Sequence, residues 1–120
     1  MKKSLEYWRA RYLGGGNSGA GSYGEMAKFK ADTINEFIES NKVESVLDLG
    51  CGDGNQASLL KCPKYMGVDI SKVAIDLCKK KFKDIGTNKN MSFMNLRQLD
   101  DSTQYHLVLS LDVIYHLLED

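Results

Sequence analysis

Several things are scarce in this chain of 120 residues, and each scarcity removes a class of function. Neither charge dominates: sixteen Lys and Arg balance sixteen Asp and Glu, so bulk electrostatics does not advertise a nucleic-acid partner. The run Lys79-Lys80-Lys81 with Lys83 reads as the solvated, dipole-compatible end of a helix rather than as such a patch. There are three cysteines, Cys51, Cys62 and Cys78, an odd number without C-x-x-C spacing. That pattern argues against zinc and disulfides and for reduced thiols in the cytoplasm. No apolar run approaches the ~20 residues of a membrane span, and the first residues lack a secretory apolar stretch. The single proline, Pro63, falls just after the end of a helix expected over Asn55–Lys61. The length suits one domain at most.

Glycine, by contrast, is concentrated in two places. Six of the eleven glycines lie between Gly14 and Gly24, which marks a loop. It divides an N-terminal segment, residues 1–25, from residues 26–120. The second concentration is Val46-Leu47-Asp48-Leu49-Gly50-Cys51-Gly52-Asp53-Gly54-Asn55-Gln56, an apolar strand running through a glycine-rich turn into a helix. Such a turn lets a ligand lie against main chain. Fifteen residues beyond Gly54 a second apolar run, Tyr65-Met66-Gly67-Val68, ends in Asp69. Strand, glycine loop, helix, strand and terminal acid form the skeleton of an α/β nucleotide site.

Periodicity places the remaining elements. Helices are expected over Lys3–Leu13, over Met26–Ser40 with Ala27, Ala31, Ile34 and Ile38 inward and Phe37 beside them, and over Asn55–Lys61. Another runs from a Ser71 cap to Phe82 with Ala74, Ile75, Cys78 and Phe82 inward. Strands are expected over Glu44–Leu49, Tyr65–Ile70, Met91–Asn95 and His106–Leu111, the last buried on both faces, with a helix from Val113. Alternating helices and strands predict a Rossmann-like three-layer α/β/α fold with a mainly parallel, right-handed sheet. Ligands of such sheets sit at the carboxyl ends of strands, where Gly50, Asp69, Asn95-Leu96 and Ser110 all fall.

The spacing G-x-G-x-G, with Asn55 in place of a third dinucleotide-motif glycine, and the acid Asp48 at the loop entrance disfavour a pyrophosphate and suit the ammonium of a bound amino acid. No G-K-[ST] follows, so a P-loop is excluded. D-L-G-C-G-D-G with Asp69 closing the next strand, and the later Ser110-Leu111-Asp112-Val113, resembles the class I S-adenosylmethionine-dependent methyltransferases from about Val43 onward. That family's sheet has seven strands, usually in the order 3-2-1-4-5-7-6. The resemblance implies a partial fold of order 3-2-1-4, the cofactor-binding half, in a chain truncated after the fourth strand.

The resemblance also implies roles. Gly50, Cys51, Gly52 and Gln56 approach the cofactor's tail and ribose, and Asp48 lies near its ammonium. Asp69 accepts from both ribose hydroxyls, its alternative role being a helix-capping acid before Ser71. Ile70 and Leu96 border the adenine, while Asp100 and Asp101 lie too far on to assign the acid usual there. Ser110 and Leu111 flank the methyl end. His116 as general base and Tyr115 as a positioning group are the catalytic candidates, against the alternative that His116 packs or faces solvent. Asp112, His116 and Asp120 share helical spacing, which periodicity supplies without a metal, so none is expected. His106 reads as structural.

In the N-terminal segment Arg9 or Arg11 would meet the cofactor's carboxylate and Tyr12 or Tyr23 its sulfonium, the alternative being a flexible tether. The expected activity is methyl transfer from S-adenosylmethionine, leaving S-adenosylhomocysteine, to an acceptor the sequence does not identify. A non-catalytic interaction module of the same fold and an NAD-dependent oxidoreductase are the competing classes. An exposed fourth strand would favour a homo-oligomer.

Overall fold

The structure, a computed structural model, describes residues 23–85, 90–100 and 102–111. The expected N-terminal helix, most of the first glycine loop and the helix from Val113 lie outside the described residues.

Helix α1, Gly24–Ser40, opens from the extended Tyr23 and buries Ala27, Ala31 and Ile38. Phe37 does not join them and is 49% exposed. At 100° per residue it lies about 100° from the centre of that stripe, beside it as the spacing places it. The helix ends in paired reverse bonds, Lys42 N–H to Glu39 O at 3.3 Å and Val43 N–H to Ile38 O at 2.9 Å. This is a Schellman cap, with Lys42 at φ 51° in the left-handed position that glycine usually fills.

Strand β1, Ser45–Leu49, leads through the second glycine loop to α2, Asn55–Ser58. The helix was expected to reach Lys61 and stops a turn early. Asn35 of α1 is the cause: its amide donates to Leu59 O at 3.0 Å and accepts from Lys61 N–H at 2.8 Å. A side chain from another element thereby takes the Lys61 N–H that would have continued the helix, and satisfies Leu59 O, whose i+4 residue Pro63 has no N–H.

Strand β2, Lys64–Asp69, is followed by α3, Lys72–Ile85. Ser71 Oγ accepts from Ala74 N–H at 3.2 Å, the cap read from the sequence. Strand β3, Asn90–Asn95, passes into a single 3-10 turn, Leu96–Gln98, and β4 is Leu107–Leu109. The four strands are parallel in the order β3-β2-β1-β4, as expected. β4 is shorter than the expected His106–Leu111, and Val108 is 53% exposed rather than buried. An edge strand has one neighbour, and Leu109, paired with Asp48, is the β4 residue that is buried.

Register explains the core. Val46, Tyr65, Phe93 and Leu109 fall on one sheet face and pack with Ala31 and Ile38 of α1, Ala57 of α2, and Ile75 and Cys78 of α3 in one cluster. The rings of Phe82 and Phe93, 4.9 Å apart, seat α3 on β3. Gly67 on that face has no room for a methyl group: an added Cβ would lie 2.8 Å from Phe93 Cδ1 and 3.0 Å from Cys51 Sγ. The sheet can therefore carry both Phe93 and the glycine loop because position 67 is bare.

Candidate functional site

The site is built where β1 and β2 end. Gly50, Gly52 and Gly54 have φ of 82°, 61° and 87°, so three alternate positions of the loop occupy the left-handed region that L side chains avoid. Gly54 is also sterically closed, because a Cβ there would be 3.2 Å from Cys78 Sγ and from Phe82 Cε2. The loop is tied back to β2. Gly50 and Cys51 N–H both donate to Val68 O, at 2.7 and 3.0 Å, and Gly52 N–H donates to Asp69 Oδ2 at 3.0 Å. Cys78 of α3 donates its thiol to Gly52 O at 3.0 Å. Cys51 Sγ lies 4.0 Å from Cys78 Sγ, and all three cysteines are free thiols.

Asp69 does two jobs at once. Its Oδ2 braces the loop through Gly52, and its Oδ1 accepts from Ser71 N–H at 2.9 Å, just before α3. The turn-forming role and a site role are thus compatible, since each carboxylate oxygen has a second lone pair. Burial pushes the Asp69 carboxyl up, and the backbone N–H groups of Ser71, Gly52 and Ile70 oppose that.

Asp48 is 2% exposed. Its Oδ2 accepts from the Tyr65 hydroxyl at 2.6 Å, and its Oδ1 has no partner among the described residues. Burial pushes its pKa from 3.8 to about 6; the Tyr65 hydrogen bond works against that rise and the charge of Asp69 adds to it.

The other expected residues distribute around this centre. Gln56 is buried; its amide donates to Ala27 O at 2.9 Å, linking α2 to α1, and its Oε1 has no partner among the described residues. Ile70 is half-buried, and its carbonyl accepts from Asn95 Nδ2 at 3.3 Å, which joins the ends of β2 and β3 beside Leu96. Ser110 is exposed and Leu111 half-buried against the core, both just past β4. Asp100 is exposed and caps its own turn, accepting from the Ser102 N–H and hydroxyl at 2.8 Å, which holds its carboxyl below the usual range. Tyr115, His116, Asp112, Asp120, Arg9, Arg11, Tyr12 and Asp101 lie outside the described residues. His106 has the structural role read from the sequence: its Nδ1 accepts from Glu44 N–H at 3.2 Å and its backbone N–H donates to Ser45 Oγ at 2.9 Å, pinning the start of β4 to β1.

Three contacts escaped the sequence reading. Tyr65 reaches Asp48, Cys78 reaches the loop, and the Tyr23 hydroxyl donates to Asp53 Oδ2, tying the start of α1 to the loop. Tyr23 is a candidate for the sulfonium by sequence; in the structure its ring has the Lys81 ammonium 6.0 Å from its centroid. Each contact spans 17 to 30 residues of sequence, so no local pattern carries it.

A parallel sheet with a left-handed glycine loop after β1 and an acid at the end of β2 is the arrangement of an α/β fold of the Rossmann-like kind. Residues 46–120 match the family described as "Methyltransferase domain", and the chain belongs to that family. Comparison with curated proteins finds no match. Among solved structures, an S-adenosylmethionine-dependent methyltransferase from Clostridium acetobutylicum is 25% identical over 73% of this chain, at a TM-score of 0.60. The methyltransferase domain of a bacterial protein, CtHen1, is 28% identical over 72%, at 0.62. Magnesium protoporphyrin IX methyltransferase from Synechocystis, solved with its cofactor, shares the fold over 96% of this chain at 0.69, with 20% identity. The chain spans 38%, 51% and 62% of these three proteins.

Proposed function

We propose that this chain binds S-adenosylmethionine at the β1–β2 carboxyl end and supplies the cofactor half of a methyl-transfer site. The orphaned buried Oδ1 of Asp48 is the observation that carries the reading. A carboxylate oxygen without a partner in a dry site is costly unless a ligand, water or cation satisfies it, and a ligand with an ammonium fits that need. The three left-handed glycines leave the loop without Cβ atoms where main chain would meet the ligand. Asp69 supplies acceptors for ribose hydroxyls, Ile70 and Leu96 the apolar border of the adenine, and Ser110 and Leu111 the methyl end.

S-adenosylmethionine, when bound, supplies a methyl group on a positively charged sulfur, and S-adenosylhomocysteine is what remains. The chain's part is to hold the ligand in one orientation and keep water from it, which is catalysis by proximity. Tyr115 and His116 are the candidates for positioning an acceptor and taking its proton. The acceptor is unassigned, and the cytoplasm, with its reduced thiols, is the setting that the three free cysteines favour. Among the described residues no helix is long and apolar enough to cross a membrane.

Calorimetric titration tests the reading. S-adenosylmethionine and S-adenosylhomocysteine should bind and NAD should not. Asp69→Ala should weaken both adenosyl ligands by at least about tenfold, since charge-assisted bonds contribute about 1.5–3 kcal/mol each. Tight NAD binding, or indifference of the adenosyl ligands to Asp69→Ala, would sink it. A methyl-transfer assay decides whether this length of chain turns over.

A further inference from the structure

We propose that Tyr65 is a positioning residue of the cofactor site: its hydroxyl, donating to Oδ2, holds Asp48 so that Oδ1 is left as the acceptor for the ligand's ammonium. The inference rests on the cofactor reading above and assigns a role to a residue that reading does not use. Tyr65 lies on β2 opposite Val46, two positions before Gly67, which is paired with Asp48. Its ring is 3% exposed and stacks at 5.7 Å, tilted, against Phe93. The ring is therefore held from one side by packing while its hydroxyl reaches one residue pair along the same sheet face to Asp48. One carboxylate oxygen, Oδ2, is thereby engaged at 2.6 Å, and Oδ1 is left without a partner among the described residues.

The same bond favours the ionised form of Asp48 against the net upward shift. Burial favours its neutral form and the Tyr65 donor favours the charged one. The other titratable groups bearing on the pair are Asp69 of β2, Cys51 of the loop and, acting on Tyr65, Cys78 of α3. The flanking strands present Leu109 from β4 and Phe93 from β3, neither of which titrates.

Cofactor affinity should accordingly fall on the acid side with the Asp48 titration. Tyr65→Phe removes the donor and keeps the ring. If the Asp48 midpoint rises by about one unit, the loss of S-adenosylhomocysteine affinity on Tyr65→Phe is about fivefold larger near pH 6 than near pH 8.5, where only the loss of positioning remains. The ligand's own ionisation is common to both chains and cancels in the ratio. Asp48→Asn should bind weakly with a flat profile. A second measurement needs no ligand and no variant: in the parent chain, the Tyr65 Cζ and Asp48 carboxyl carbon resonances should titrate with one midpoint. Profiles for Tyr65→Phe and the parent that stay parallel, or resonances that titrate independently, overturn the role of Tyr65 while leaving the cofactor site standing. Absence of adenosyl-ligand binding by the parent at every pH overturns both.

Discussion

Asp48 carries a conflict between stability and binding. A buried carboxyl whose pKa rises from 3.8 to about 6 binds protons more tightly in the folded state than in the unfolded one. Its contribution to stability therefore falls as pH rises from about 4 through about 6, a loss of about 3 kcal/mol once the group is ionised. Asp48→Asn keeps an acceptor for Tyr65 and removes the charge. In the ligand-free protein at neutral pH it should raise the thermal midpoint, by a stabilisation on the order of 1–3 kcal/mol, and flatten the dependence of stability on pH below about 7. Calorimetric scans at several pH values check this; a variant that unfolds earlier than the parent at pH 7 would contradict it. Asp48 was legible in the sequence because an acid before G-x-G-x-G is a local pattern. Tyr65, its partner, was not, because an alternating apolar strand does not say which neighbour each residue will face.

The elements show where local chemistry decides and where it is overruled. The Schellman cap of α1 places Lys42 at φ 51°, so Lys42→Gly should stabilise the protein by about 0.5–1 kcal/mol, read as a rise in thermal midpoint. Gly54→Ala should act in the opposite sense. It combines φ 87° with contacts of 3.2 Å to Cys78 and Phe82, and strain of this kind costs about 1–3 kcal/mol. Denaturant midpoints for the two variants should move in opposite directions. Ser71 capped α3 as its sequence position indicates, whereas α2 ended early because Asn35, 26 residues upstream of Lys61, took the Lys61 N–H. Caps are local chemistry; capture by another helix is not.

At the scale of the molecule, β3 and β4 form the edges of the described sheet, and Val108 on β4 is 53% exposed. An edge strand with an exposed β-branched residue is open to pairing with a second copy. Self-association through β4 would appear as a concentration-dependent sedimentation coefficient at micromolar protein. Val108→Lys, which charges the exposed face without touching the cofactor loop, should shift the population toward monomer. A parent chain that is monomeric throughout that range would rule the pairing out.

The glycine loop, the terminal acid of β2, the element order and the parallel sheet followed from the sequence, because each depends on spacing along the chain: period 2 against 3.6, glycine at positive φ, acids at strand ends. The tertiary structure alone decided that Tyr65 meets Asp48, that Cys78 and Tyr23 fasten the loop and that Val108 is uncovered. These depend on register between strands and on the direction from which a helix packs. Both are set by burial of the whole core, and no window of sequence contains them.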